Sequence, residues 1–278
     1  MLDGFCEYLR QQGKSENTVK SYCQGVKEYM RWHEETFGKR MKMLIRANVL
    51  DYISYLRTVK GLNNRSVNAK LASLHSFNLY LISAGYKTEV VLTKEDYLKV
   101  QTAYASPSTV DRGEVERFRQ EILENNGIRD YAIVTILAYA GLRISECLEL
   151  RMGDIFLAAR EITVRHGKGD KMRVVYFGNM VANAVREYLK SRPATENPYL
   201  FPGRGDSHLT RGQVNRIFNA HSASITPHTL RHFFCSNALE NGYNIGELAN
   251  QAGHSNVHTT LLYTNPTKEK MKEKANLL

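Results

Sequence analysis

His228 and Arg231 stand three residues apart in HTLRH, His254 follows in AGH, and Tyr263 comes nine residues later in LLYT. These residue types suit attack on a phosphodiester. Guanidinium and imidazole groups stabilise the charge that builds on a pentacoordinate phosphorus, and a Tyr hydroxyl becomes a covalent ester to it. Upstream, Arg143 in GLRISE and Lys168 in GKGDK add two cations. A second Arg matters because a planar fork matches two phosphate oxygens at once. A Lys at the departing oxygen protonates it, since an alkoxide leaves poorly. Lys171, three residues on, competes with Lys168 for that part. A His-x-x-Arg pair alone arises by chance in a chain this long, so the ordered set carries the signal.

Two histidine pairs mimic metal spacing. His228 and His232 are four apart, but Thr229 stands where a zinc-helix motif needs Glu, and Arg231 would repel a cation. His254 and His258 share that spacing, and His258 reads as a cap or surface residue. No metal or other cofactor is expected, because guanidinium and ammonium groups already neutralise the phosphate.

The elements that must position these groups are mostly helical. Ser15 opens a run with Val19, Tyr22, Val26 and Tyr29 at helical spacing. A second helix starts near Asn48. A third follows Asn63 and Asn64, with Val67, Leu71, Leu74, Asn78 and Leu81 on one stripe and Gly85 as its stop. Its polar face carries Arg65, Asn68, Lys70, Ser73 and His75, types able to meet phosphates and base edges. Residues 89–108, including the Pro-containing TAYASPST, read as a linker. This divides the chain into a helical domain over 1–88 and a second domain over 109–278. In the second, Asp111 caps a helix and an apolar helix runs to Gly141. REITVRHGKGDKMRVVYFG reads as a β-hairpin alternating Ile162/Val164 with Val174/Tyr176. Helices are predicted over 180–190, 210–219, 228–240 and 245–251. The fold class is mainly α with a small antiparallel hairpin or sheet.

Composition narrows the partner. A formal net charge of +10 over 278 residues favours a polyanion, since each phosphate neutralised releases condensed counterions. No uninterrupted apolar stretch approaches membrane-spanning length, and the N-terminal residues lack the apolar run of a signal peptide. Cys6, Cys23, Cys147 and Cys235 are scattered in helix-like sequence, which predicts buried free thiols in a cytoplasmic protein.

The motifs GLRISE, GKGDK, HTLRH, AGHSNVHTT and LLYT, in this order and over essentially the whole chain, resemble the tyrosine site-specific recombinases of the Xer/phage-integrase family. AGH in place of the commoner Leu-Gly-His is a mild departure. The resemblance implies a core-binding (SAM-like) domain and a catalytic domain closing on duplex DNA. It implies Tyr263 as nucleophile, forming a 3′-phosphotyrosyl bond, with Arg143 and Arg231 on the non-bridging oxygens. Lys168 is then the general acid, His228 assists proton transfer at the Tyr hydroxyl and His254 donates to a phosphate oxygen. Glu146 supports the neighbouring cations. Arg65, Asn68, Lys70, Lys171, Arg173 and Arg211 are the expected DNA contacts. Four protomers would recombine two sites through a Holliday junction without ATP or metal. The tail, with Leu277 and Leu278, would dock on a neighbouring protomer. The chain begins almost directly with the core-binding helices, which fits a simple chromosome-dimer Xer protein or a transposon-encoded resolvase, nucleoid-associated in the cytoplasm. Accessory DNA motifs or a second recombinase are further expected partners. The alternatives are a type IB topoisomerase, which needs no partner site, and a non-catalytic DNA-binding protein of the same fold.

Overall fold

A computed structural model describes residues 1–100, 110–165, 172–254 and Asn276. Lys168, Lys171, His258, Tyr263, Leu277 and Leu278 lie outside the described residues. The chain separates into two units, Met1–Thr102 and Ala103–Leu278.

The first unit holds α1 (Leu2–Gln11), α2 (Glu16–Phe37), α3 (Arg46–Thr58) and α4 (Asn64–Ser83). Ser15 and Asn63 cap α2 and α4 by accepting the backbone N–H groups of Thr18 and Ser66, which those ends would otherwise leave unpaired. Phe5, Val26, Tyr29, Tyr52, Leu71, Leu74 and Phe77 meet in one core. Asn78, on the apolar stripe of α4, is buried and used: it accepts from Val91 N–H at 2.6 Å and donates to the Glu89 carbonyl at 3.1 Å.

That pairing alters the expected linker. Residues 89–99 pack on the first helical unit, with Val91 and Leu92 buried in its core. Asn68 clamps the backbone of Leu98 from both sides at 2.8 and 2.9 Å, and Asn64 donates to the Lys99 carbonyl at 2.9 Å. Arg46 forks onto Asp96 at 2.8 and 2.9 Å. The segment lacks hydrophobic period because side-chain amides, rather than an apolar stripe, hold it.

A second correction concerns the thiols. Cys6 and Cys23 form a disulfide, because the short turn between α1 and α2 brings them together with Cα atoms 6.1 Å apart. Cys147 and Cys235 are buried in the second unit.

The second unit comprises α5 (Arg112–Asn126), α6 (Ile128–Tyr139), α7 (Ile144–Leu148), β1 (Ile155–Phe156), β2 (Glu161–Val164), β3 (Arg173–Tyr176), α8 (Asn179–Ser191), α9 (Arg211–His221), α10 (Pro227–Glu240) and α11 (Ile245–Ala252). From Ala132 to Ala138 the helix α6 is buried all round, as that largely apolar run requires, and α5, α8 and α10 cover it. The hairpin is part of a three-stranded antiparallel sheet in the order β1-β2-β3. Ile162 pairs with Val175 and Val164 with Arg173. The face carrying Ile162 and Val164 therefore continues through Val175 and Arg173, while Val174 and Tyr176 are exposed. A one-residue change in register exchanges the faces, and here it turns Arg173 inward.

Candidate active site

Three short segments converge: the end of α6 with the start of α7, the first turns of α10, and the end of α11. Gly141 ends α6 with φ +67°, and a Cβ there would sit 2.2 Å from the Phe234 ring of α10. Only glycine permits both the left-handed turn and that approach. Two residues on, Arg143 precedes α7. Its backbone N–H and Nη1 donate to Glu146 Oε2 and Oε1 at 2.8 and 2.7 Å.

Arg231 is buried one turn into α10, where its Nη1 donates to the Gly141 carbonyl and its Nη2 to the Ala252 carbonyl. Arg143 Nη2 donates to the Gly253 carbonyl at 2.8 Å. Arg173 Nε donates to the Gln251 carbonyl at 3.3 Å. Three guanidinium groups thus use three successive carbonyls at the C-terminus of α11. Those carbonyls have no partner within their helix and carry its negative dipole end, so cations are favoured there. Gln251 also fastens α11 to the open edge of β3, accepting from Tyr176 N–H at 3.1 Å and donating to its carbonyl at 2.5 Å.

This crowding sets the proton affinities. Burial, then the Arg143 charge, lowers the Arg231 pKa to about 10, so it remains a cation at neutral pH. Burial pushes the Glu146 carboxyl upward, yet the Arg173 and Arg143 hydrogen bonds and charges hold it below the ordinary value. His254, next to Gly253, is lowered to about 4 by burial and by Arg231, Arg143 and Arg173. It is a neutral ring at pH 7. His228 is depressed by burial and by Arg231, and His232 by burial, His228 and Arg231. Their Nε2 atoms lie 2.8 Å apart, so one neutral ring donates to the other. The spacing that resembled a zinc site is spent on this bond. Among the described residues, no group of three or more His, Cys, Asp or Glu could hold a metal ion.

Arg143, His228, Arg231 and His254 open together onto a cleft of about 610 Å³, which Arg211, Asn215 and Asn219 of α9 also line. Of the expected DNA contacts, Arg65 is exposed and Arg211 lies in this cleft. Asn68 and Lys70 are otherwise engaged, Asn68 on Leu98 and Lys70 on Glu28. Arg173 forks onto Glu146 at 2.9 and 3.0 Å. The sequence reading missed Asn215 and Asn219, although they fall four and eight residues after Arg211 on one helical stripe. It also treated His232 only as a metal decoy.

The model named "Phage integrase family" matches residues 109–270, and "Phage integrase, N-terminal SAM-like domain" matches residues 1–86. The chain is 49% identical to the TnP I resolvase of Bacillus thuringiensis, covering 99% of this chain and 98% of that protein. It is 32% identical to tyrosine recombinase XerA of Thermococcus kodakarensis, over 100% and 96%. Among solved structures, the Tn1549 transposon integrase in complex with transposon right end DNA aligns over 99% of this chain and 98% of that one, with TM-score 0.72 and 21% identity. That likeness concerns the fold.

Proposed function

Because the chain belongs to the phage integrase family of tyrosine recombinases, we propose that it cuts and rejoins duplex DNA through Tyr263. The Tyr263 oxygen attacks the scissile phosphorus and the bond to the 5′ oxygen breaks, leaving a 3′-phosphotyrosyl ester and a free 5′-hydroxyl. His228 assists removal of the Tyr proton, and Lys168 protonates the leaving oxygen. Arg143 and Arg231 stabilise the non-bridging oxygens, and neutral His254 donates a hydrogen bond to one of them. The ester keeps the bond energy, so a 5′-hydroxyl from another strand reverses the step without ATP or metal.

The observation that carries this reading is the convergence of Arg143, His228, Arg231 and His254 on one cleft. Arg211, Asn215 and Asn219 line the same cleft and present types that read guanine and adenine edges, so α9 meets the DNA bases. The net charge of +10 supports the polyanionic partner. Four protomers act on two sites through a Holliday junction, in the cytoplasm, with the C-terminal tail docking between protomers. The full-length likeness to a protein named resolvase favours separation of joined DNA molecules as the role.

Incubation with a nicked suicide duplex carrying the recombination site tests the chemistry. A protein–DNA adduct that survives denaturation and is lost in Tyr263→Phe is expected. No adduct on any candidate site would leave a DNA-binding protein without cleavage. Relaxation of supercoils lacking the site would instead indicate a topoisomerase.

A further inference from the structure

We propose that Arg173 is a positioning residue for Arg143: its fork holds Glu146 and balances that carboxylate, so that Arg143 meets the phosphate as an uncompensated cation. The proposal rests on the recombinase reading for the identity of the phosphate.

Glu146 is the shared partner. Its Oε1 accepts from Arg143 Nη1 at 2.7 Å and Arg173 Nη1 at 3.0 Å, and its Oε2 accepts from Arg143 N–H at 2.8 Å and Arg173 Nη2 at 2.9 Å. All four lone-pair directions of the carboxylate are therefore used. Arg143 lines the cleft and Arg173 does not. The Arg173 side chain is 14% exposed and the Glu146 side chain 3%. A residue so placed is poorly set to contact DNA and well set to fix what does.

Charge gives the arrangement its purpose. Glu146 alone with Arg143 would form a neutral pair, weakening the attraction for phosphate where it must grow as charge develops. Arg173 restores one net positive charge to the trio. It takes two acceptor directions, which prevents Glu146 from claiming more of the Arg143 fork. The same guanidinium reaches the Gln251 carbonyl at 3.3 Å and the Ala252 carbonyl at 3.5 Å, so strand β3 is tied to the helix that ends beside His254. Gly253 completes the fit: a Cβ there would lie 2.6 Å from Arg173 Cζ, and its φ is +65°.

The test compares Arg173→Met and Arg173→Lys with the wild-type chain in two arms. In the first, cleavage of the suicide duplex is followed at saturating DNA, alongside duplex affinity against salt. Arg173→Met is expected to lower the saturated rate about 10- to 100-fold, as loss of groups that orient a catalytic shell does. Affinity and its salt slope stay near wild type, and Arg173→Lys, which keeps the charge, falls between. A phosphate contact would instead weaken binding and reduce the salt slope by about 1, and with an unchanged saturated rate that result overturns the proposal. In the second arm, NMR titration without DNA follows His254, which faces Arg143, Arg173, Arg231 and His232. Its pKa rises in Arg173→Met, and an unmoved titration also overturns the proposal. Should Arg173→Met fail to fold, Arg173→Gln, equally uncharged and able to donate to Glu146, carries both arms. An absent wild-type adduct would count against the recombinase reading, while the titration still decides the placement of Arg173.

Discussion

Glu146→Gln keeps the shape of the side chain and removes its charge. Gln retains one accepting oxygen and presents an amide NH2 at the other position, so two of the four donors on Glu146 lose their acceptor. Hydrogen bonds to charged groups contribute about 1.5–3 kcal/mol each. Removing one partner of a buried ion pair costs about 3–5 kcal/mol. Arg143 remains partly solvated and can relax, so the lower end applies: about 3 kcal/mol. For a unit of this size each kcal/mol lowers Tm by about 2–4 °C, giving about 6–12 °C. Differential scanning calorimetry of the full chain at pH 7 measures this. The Glu146 carboxyl titrates below its ordinary value in the folded protein. Its stabilisation is thus present above the unfolded pKa and is lost as pH falls through the folded one. The gap between wild type and variant should therefore close in acid. A Tm within about 2 °C of wild type at pH 7 would refute the reasoning, as would a destabilised variant that cleaves at the wild-type rate.

Gly141→Ala should destabilise the second unit by more than the ~1–2 kcal/mol of a left-handed alanine, because its Cβ would enter the Phe234 ring; thermal melting checks this, and cleavage should fall as Arg231 loses its register. Asn215→Ala and Asn219→Ala should each relax sequence preference, with about 1–3 kcal/mol of discrimination lost per base contact, read by binding-site selection. The depressed pKa values of His228, His232 and His254 give an acid-labile site. The folded state binds fewer protons than the unfolded one between about pH 4 and 6.5, so stability falls as pH drops through that window. After discounting for solvent screening the loss from pH 7 to 5 is about 1–2 kcal/mol, and His254→Asn should flatten the Tm–pH curve.

Ser15, Asn63 and the apolar stripes marked their helices because caps and periodicity are local signals. Arg143, His228, Arg231 and His254 were legible for another reason: their types and order specify chemistry before geometry is known. Arg173 was not legible. A charge beside a Gly-rich turn reads as a DNA contact until strand pairing sets it opposite Val164 and turns it inward. Asn68 misled similarly, since its partner is the backbone of Leu98, thirty residues away and without pattern. Cys6 and Cys23 belong to different helices, so no spacing rule joined them.

The acceptors at the end of α11 are main-chain carbonyls, and no codon change removes a carbonyl. Substitution along that helix can alter its surface while leaving the Arg143, Arg173 and Arg231 seats in place, provided Gly253 persists. The exposed stripe of α9 has no such constraint, since Asn215 and Asn219 face the cleft from a helix held by Val214 and Phe218 beneath. If α9 reads the bases as proposed, reaction chemistry and target preference sit on separately mutable parts of one cleft. A library confined to the α9 stripe is the place to retarget this enzyme.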